Sequence, residues 1–306
     1  APDALHLGLG VQVVVDLEPF LGEYPERFGR LPDNFDDDLH TKPEVQRIWR
    51  WVRNREHFVG SMDRSEPRQW LRQLDYYAWL HERLDDSLAT ILGALDRLGL
   101  YDDTAIVYTS DHGDACGAHG LRAKLPCVYE EVMGVPLTVK LPGVTRAGAT
   151  TDALSTHVDL ARTLCALGGV PESRAAATLS GEDLSPTLAD PSHHVRDHVL
   201  FAQDSAQSPL LRGCRYAVRG FFDGETKYAR YYGIGGGVQR DGTTDEAGKV
   251  IDVDAPFDDQ DHELYDCADD PGELVNRAHD RGRRQDLRDQ FDRLREYEER
   301  EFAPLG

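Results

Sequence analysis

Residues 104–114 have the sequence TAIVYTSDHGD, and this stretch decides the fold. Its first half is a short apolar, β-branched run, which predicts a buried strand over residues 104–108. In parallel α/β sheets ligands bind beyond the carboxyl ends of strands, where Asp111 and His112 would project. Neighbouring Asp and His side chains can supply oxygen and nitrogen ligands to one divalent ion. A turn or helix cap is the alternative role for this Asp.

The segments on either side of this stretch alternate between helix and strand. Before it, apolar residues recur at intervals of three and four over residues 66–98, which predicts a long amphipathic helix ended by Gly99. After it come a predicted strand at 136–141 and a predicted helix at 156–167. With a further strand at Val11–Val15, this alternation predicts an α/β fold with a mainly parallel sheet, of the sandwich type.

Beyond residue 195 the sequence pattern changes. Short strand-like segments at 198–201, 215–219 and 227–232 are joined by glycine-rich turns, and a charged helix is predicted over 284–302. This pattern is typical of a small α+β unit with antiparallel strands. We therefore divide the chain into an α/β core, residues 1–195, and a C-terminal subdomain, residues 196–306.

A long stretch from Glu18 to Ser65 lacks a clear helical or strand period. Loops of such length are unusual, and this one indicates an insertion near a binding site. It contains the run Asp36-Asp37-Asp38. A solvated acidic loop is the preferred interpretation of this run, and a metal-binding cluster is the alternative.

Composition narrows the classes of partner. The chain has 306 residues and a formal net charge of −21, which disfavours binding to nucleic acid or to anionic membranes. No apolar run approaches the roughly 20 residues that cross a bilayer, and no secretion signal is visible, so we expect a soluble, cytoplasmic protein. Its 5 cysteines have no CxxC spacing, which predicts free thiols.

Two further residues follow the Asp-His pair in a glycine-bounded loop. His119 lies between Gly117 and Gly120, and Lys124 follows shortly after. A histidine and a lysine next to a metal-ligand pair can gather positive charge around a tetrahedral anion. The alternative is that each of these residues is an ordinary loop residue with no role in a site.

Taken in order, these motifs resemble the type I sulfatases of the alkaline-phosphatase superfamily. The resemblance runs from about Tyr76 to the C-terminus. It is carried by the following segments: Leu84-Asp85-Asp86, SDHGD at 110–114, Gly117 to Gly120, Lys124, Tyr129-Glu130-Glu131, Val135-Pro136-Leu137, His157-Val158-Asp159-Leu160, Glu263-Leu264-Tyr265-Asp266 and Asp270-Pro271-Gly272-Glu273-Leu274.

The resemblance implies an alkaline-phosphatase-like sandwich and a metal-assisted sulfuric ester hydrolase that acts on a small-molecule sulfate ester. Asp111 and His112 match the second pair of metal ligands, which typically hold Ca²⁺, or Mn²⁺ in phosphonate-hydrolysing relatives. Lys124 matches a lysine that contacts the sulfate group. His119 matches a histidine near the leaving-group oxygen and would act as general acid.

The sequence departs from the family pattern in two respects. Such sulfatases use a formylglycine made within Cys/Ser-x-Pro-x-Arg, and the nearest segments, Ser65-Glu66-Pro67-Arg68 and Ser208-Pro209-Leu210-Leu211-Arg212, do not match it. The first pair of metal-binding aspartates has no match either. We therefore expect the nucleophile to come from a missing N-terminal segment or a second chain. A phosphate or phosphonate ester hydrolase and a non-catalytic binding protein remain alternatives, and nothing indicates the oligomeric state.

Overall fold

The computed structural model describes residues 24–56, 61–175, 179–204, 214–234 and 252–302. The predicted strand at Val11–Val15 lies outside these residues. The helices are α1 (Glu44–Glu56), α2 (Pro67–Arg97), α3 (Glu130–Met133), α4 (His157–Leu167), α5 (Glu172–Ala175), α6 (Ser185–Ala189) and α7 (Arg284–Glu301). The strands are β1 (Ile106–Thr109), β2 (Leu137–Lys140), β3 (Val199–Gln203), β4 (Arg215–Phe222), β5 (Thr226–Ile234) and β6 (Asp261–Asp266).

The long helix α2 and the strand that follows it agree with the sequence pattern. Gly99 ends the helix in the left-handed conformation, with φ at 67°. The N–H groups of Gly99 and Leu100 donate to the carbonyl oxygens of Asp96 and Leu95, at 2.9 and 2.8 Å, and so satisfy the last turn. This turn directs the chain into β1.

The pairing of β1 with β2 differs from the predicted parallel arrangement. The two strands are antiparallel, with Ile106 opposite Lys140 and Thr109 opposite Leu137, and no parallel pair occurs in the part of the chain that the structure describes. A parallel pair needs a crossover connection, usually a full helix. Between these strands the chain forms a loop with one 3₁₀ turn, Ala118–Gly120, and the single turn of α3, but no full helix.

The C-terminal sheet is antiparallel, as predicted. Its four strands lie in the order β3-β4-β5-β6, and each neighbouring pair is antiparallel. One face packs on α7 through a cluster of buried residues: Phe221, Tyr228, Phe257, Leu264, Leu287, Leu294 and Tyr297. The α/β composition and this subdomain sheet therefore agree with the sequence.

A single larger core connects this sheet to the first part of the chain. Its buried members come from both sides of residue 195: Leu39, Val45, Trp49, Ala115, Leu121, Leu125, Cys127, Val128, Tyr129, Val132, Cys214, Tyr216, Ala217, Val218, Ala229, Tyr231, Tyr232 and Tyr265. The buried carboxylate of Glu263 accepts hydrogen bonds from Gln46 at 3.0 Å and from the hydroxyl of Tyr231 at 2.6 Å. The division at residue 195 stays a prediction.

Helix α1 lies inside the stretch that the sequence pattern left as loop. Val45, Trp49 and Val52 are spaced by four and three, and their exposed fractions are 0%, 0% and 5%. This is the spacing of a buried helical face, and it packs on the C-terminal sheet. None of the helices in the described segments is long and apolar enough to cross a membrane.

Candidate active site

A cleft of about 570 Å³ opens where β1 ends, and Asp111, His112 and Lys124 all line it. Its walls come from α3, β2, α4, β3, the end of β4 and the loops between them. They are mostly apolar: Leu125, Val132, Met133, Val135, Leu137, Leu154, Leu160, Val199, Leu200, Phe201 and Phe222. Lys124 is the one Lys or Arg side chain among the described residues of this lining. The structure therefore brings together three of the four residues that the sequence singles out.

Asp111 and His112 have the geometry of a ligand pair. The Oδ2 atom of Asp111 lies 3.4 Å from Nε2 of His112. Two ligands about 2.4 Å from one divalent ion and at right angles around it are roughly 3.4 Å apart. The Nδ1–H group of His112 can donate to the carbonyl oxygen of Gly113 at 2.7 Å, which leaves Nε2 free to bind. These residues fit one side of a divalent-metal site.

Gly113 is sterically required at this point. A Cβ atom there would lie 2.0 Å from the carbonyl oxygen of Glu131, and the Gly113 N–H donates to the carbonyl oxygen of Val132 at 2.9 Å. Only glycine allows such a close backbone approach. The backbone of α3 thus fixes the direction of the Asp111-His112 pair.

The Asp111 carboxylate is held in its charged form. Its partial desolvation raises the pKa, but the His112 N–H group, the neighbouring imidazole and the charge of Lys124 together lower the pKa below its ordinary value. The carboxylate is therefore ionised at neutral pH and available to a cation. Because its side chain is 81% exposed, water still reaches it in the described structure.

His119 lies apart from the cleft. Its side chain is 1% exposed and stacks on Tyr129, with ring centroids 3.7 Å apart. Nδ1 is 2.7 Å from Oδ2 of Asp37, and Nε2 is 3.2 Å from the amide nitrogen of Asn34. Both ring nitrogens thus have protein partners. This geometry favours a positioning role for His119 over the leaving-group acid that the resemblance implies.

Asp37 is the partner that the sequence did not single out. Asp36, its neighbour, has a side chain that is 98% exposed, whereas the Asp37 side chain is 7% exposed. Burial raises the pKa of Asp37. The hydrogen bond from His119, the Leu39 N–H group and the charge of Lys42 lower this pKa by more than burial raises it, so it lies below its ordinary value. The expected solvated acidic loop is therefore correct for Asp36 and not for Asp37.

The loop that joins His112 to Lys124 has an unusual backbone. Positive φ angles occur at Cys116, His119 and Ala123, at 45°, 55° and 58°, which non-glycine residues adopt rarely. The Asp114 carboxylate accepts from the N–H groups of Cys116 and Ala123, at 2.8 and 3.1 Å. Together with the Asp37–His119 contact, these bonds hold Lys124 at the cleft.

A second group of possible metal ligands lies outside the cleft lining. Atoms of His119, Glu131 and Glu273 lie within 4.8 Å of one another. However, the Lys227 ammonium is 2.7 Å from Glu273, and Glu131 accepts from the Asn34 amide at 2.9 Å. The Lys227 charge offsets that of Glu273, whereas Glu131 has only a neutral amide as its partner in these contacts.

His157 also lines the cleft, and the sequence gave it no role in the site. It is the first residue of α4, is exposed, and its Nε2 lies 2.6 Å from the carbonyl oxygen of Ser110. Thr156 and Asp159 form a capping box at this helix start. That capping motif was the one signal that could have placed His157 at the edge of the site.

The sequence matches the model of the sulfatase family over residues 18–170. An N-acetylglucosamine-6-O-sulfatase of Bacteroides thetaiotaomicron is 36% identical over 121 residues, covering 40% of this chain and 20% of that protein. Human arylsulfatase A is 31% identical over 205 residues, covering 63% of this chain and 37% of that protein.

A solved structure described as a sulfatase of Bacteroides thetaiotaomicron superposes with a TM-score of 0.67 at 24% identity, and the match covers 92% of this chain and 53% of that one. The chain thus spans about half the length of this structure and less of the two curated relatives. The fold that it shares with this structure includes both the α/β part and the C-terminal sheet. From the family match over half of its length, we conclude that this chain belongs to the sulfatase family.

Proposed function

We propose that these residues form the metal- and sulfate-binding side of the active site of a sulfuric ester hydrolase. The observation that carries the proposal is the shared cleft, in which the Asp111-His112 pair and Lys124 face the same volume. The family match indicates a sulfatase, and we propose that the whole protein has this activity.

The role of each residue in the cleft would follow from its charge. Asp111 and His112 would hold a divalent ion. The family resemblance makes Ca²⁺ our first choice, and Mn²⁺ is the alternative because an imidazole suits Mn²⁺ better than Ca²⁺. When bound, the ion would polarise the sulfate oxygens and offset repulsion from a chain of net charge −21. Lys124 would bind a sulfate oxygen through its ammonium group.

The roles of His119 and Asp37 would be indirect. The buried imidazole would fix the loop that carries Lys124, and Asp37 would fix the imidazole at 2.7 Å. The nucleophile would come from polypeptide that carries the Cys/Ser-x-Pro-x-Arg motif, which this sequence lacks. The substrate of the whole protein would be a small-molecule sulfate ester.

Kinetics of the protein isolated from its source test these roles. Sulfate release from 4-nitrophenyl sulfate should fall by about a hundredfold or more in Asp111→Ala and Lys124→Ala, because each removes charge stabilisation of the transition state. Arg146→Ala removes an exposed cation outside the cleft lining and serves as the control. Retained activity in both site variants would contradict the proposal. Faster turnover of the matching phosphate or phosphonate monoester would favour a hydrolase of phosphate or phosphonate esters.

The role of His119 needs a second comparison, between 4-nitrophenyl sulfate and phenyl sulfate. A general acid matters more for the poorer leaving group, so its loss should slow phenyl sulfate more. We expect His119→Gln to slow both substrates by the same factor, since a positioning residue acts on the site and not on the departing oxygen. A larger loss with phenyl sulfate would restore His119 as the acid.

A further inference from the structure

The single turn of α3 connects the metal pair to the C-terminal sheet. Gly113, which follows His112, donates to the carbonyl oxygen of Val132 at 2.9 Å, and the carbonyl oxygen of Glu131 fills the space that a side chain at Gly113 would need. A helix of 4 residues is too short to be stable alone. The position of α3, and with it that of Gly113, therefore depends on contacts from other parts of the chain.

A buried carboxylate from beyond β6 supplies such a contact. The side chain of Glu273 is 2% exposed, and its Oε2 accepts from the N–H group of Glu130 at 2.7 Å. Glu130 is the first residue of α3, and the first N–H groups of a helix have no partner within that helix. Glu273 thus satisfies the start of α3 from 143 positions away in the sequence.

Lys227, near the start of β5, holds the same carboxylate from its other side. Its Nζ lies 2.7 Å from Oε1 of Glu273 and 3.3 Å from Oε2 of Glu130, and its side chain is 2% exposed. Removal of two charges from water costs free energy, which a buried pair regains only with good geometry. The Lys227 contact therefore keeps the Glu273 carboxylate in one position against α3.

The backbone at Glu273 is strained where it places this side chain. Its φ angle is 51°, in the left-handed region that non-glycine residues rarely adopt. The Asp270 carboxylate fixes the residues that follow, since it accepts from the N–H groups of Leu274 and Val275 at 3.1 and 2.7 Å. Strained residues persist where their surroundings hold them, and they cluster at functional sites. The strain at Glu273 therefore indicates a functional role for its side chain.

We propose that Glu273 is a positioning residue for the metal pair. Glu273 does not line the cleft, but it fixes α3, α3 fixes Gly113, and Gly113 fixes the direction of Asp111 and His112. The segment that follows β6 thereby sets the metal affinity of a pair that lies at the end of β1. The inference rests on the proposed role of Asp111 and His112 as metal ligands.

Mn²⁺ binding to two matched variants tests this role. Glu273→Met and Lys227→Met each remove one charge of the same buried ion pair and substitute an unbranched side chain, so both should lower the melting temperature. Only Glu273→Met removes the acceptor of the Glu130 N–H group. In the protein from its source, electron paramagnetic resonance should show the Mn²⁺ dissociation constant raised by about tenfold or more in Glu273→Met and by less than about threefold in Lys227→Met.

The spin echo of bound Mn²⁺ gives a readout that a loss of stability alone would not change. A coordinated imidazole nitrogen modulates this echo, so the modulation reports His112 as a ligand. At saturating Mn²⁺ we expect the modulation to persist in Lys227→Met and to weaken in Glu273→Met. Equal dissociation constants and equal modulation in the two variants would overturn the proposal.

Hydrogen exchange in the unchanged protein tests the same coupling without any variant that must fold. Coupling between two sites is reciprocal, so Ca²⁺ binding at Asp111 and His112 should slow exchange of the Glu130 amide by about threefold or more. Leu294, which is 0% exposed in α7, is the control, and its amide should exchange equally with and without Ca²⁺. Slower exchange at Gly113 with unchanged exchange at Glu130 would overturn the positioning role.

Asp111→Ala separates this inference from the proposed function. Equal Mn²⁺ binding by the parent and Asp111→Ala would mean that the metal pair is wrong, and the proposed function would fail with it. Weaker binding by Asp111→Ala, together with equal binding by Glu273→Met and Lys227→Met, would overturn only the positioning role of Glu273.

Discussion

A buried carboxylate and a buried imidazole hold the loop that joins the two parts of the cleft. Asp37 and His119 are 7% and 1% exposed, and a 2.7 Å contact joins them. Lys42 lies 3.8 Å from the same carboxylate, so its positive charge stabilises the ionised form of Asp37. Charge-assisted hydrogen bonds of this kind are about twice as strong as neutral ones. The loop that carries Lys124 therefore depends on residues that do not line the cleft.

Asp37→Asn tests this dependence through pH. At pH 7 the variant should lose about 1 to 2 kcal/mol of unfolding free energy, because a neutral amide replaces a charged acceptor. The folded-state pKa of Asp37 is lowered from 3.8, so its contribution is present above that pH and is lost as pH falls through the folded-state value. Urea unfolding should therefore show the difference from the parent shrinking below about pH 4.

Asp36→Asn is the matched control, because that side chain is 98% exposed. It should change the unfolding free energy by less than about 0.5 kcal/mol at either pH. A difference between Asp37→Asn and the parent that stays constant from pH 7 to pH 3 would show that the Asp37 charge is not the cause.

Gly113→Ala tests the steric argument at the metal pair. A Cβ atom at Gly113 would meet the Glu131 carbonyl oxygen at 2.0 Å, so the backbone must move and turn His112 with it. We expect Mn²⁺ affinity, measured by electron paramagnetic resonance on the protein from its source, to fall by about ten- to a hundredfold. Gly29→Ala, where an added Cβ meets nothing within 4 Å, should bind Mn²⁺ as the parent does. Equal dissociation constants for the two variants would show that Gly113 does not position the metal ligands.

Local sequence signals identified some of these residues and not others. Asp111, His112 and Lys124 stand next to a clear strand and glycine-rich loop, so their common location follows from the chain itself. Asp37 and His119 are 82 positions apart, and no local pattern distinguishes Asp37 from its neighbours in the acidic run. Their contact depends on tertiary packing, which the sequence pattern does not encode in a readable form.

At the scale of elements, the start of α4 connects the fold to the cleft. The Asp159 carboxylate has a side chain that is 0% exposed, and it forms a salt bridge with Arg196. It also accepts from the N–H groups of Thr156 and Glu182, each at 2.8 Å. These bonds fix the helix start, and with it His157 at the edge of the cleft.

Asp159→Asn should therefore destabilise the chain strongly. The change leaves the Arg196 charge without its buried partner, which costs about 3 to 5 kcal/mol in such pairs. Urea unfolding measures the loss. Glu172→Gln breaks an ion pair with Arg162 in which Glu172 is 58% exposed, and it should cost less than about 1 kcal/mol. Similar losses from the two variants would mean that the Asp159 network contributes little.

Elements with a strong period were predicted well, and elements without one were not. The helices at α2, α4 and α7 fall within a residue or so of their predicted bounds, because each has a long apolar period or a clear cap. Helix α1 was missed because its buried face, Val45, Trp49 and Val52, is surrounded by charged residues and loops. The antiparallel β1–β2 pair was not foreseen, since strand direction depends on the connection and not on the strand sequence.

At the scale of the whole molecule, the chain and the substrate that we propose for it carry charges of the same sign. The net charge of −21 repels a sulfate ester at long range. Lys124 and a divalent ion at the Asp111-His112 pair would reverse the sign of the potential within the cleft. We therefore expect the metal to bind at this pair and not at the group of His119, Glu131 and Glu273.

Anomalous X-ray diffraction tests this expected position of the metal. The crystals would be of the protein from its source, grown with Mn²⁺ and inorganic sulfate. We expect an anomalous peak within bonding distance of Asp111 Oδ2 and His112 Nε2, with a sulfate in contact with Lys124. A peak between His119, Glu131 and Glu273, with no metal at Asp111 and His112, would contradict it.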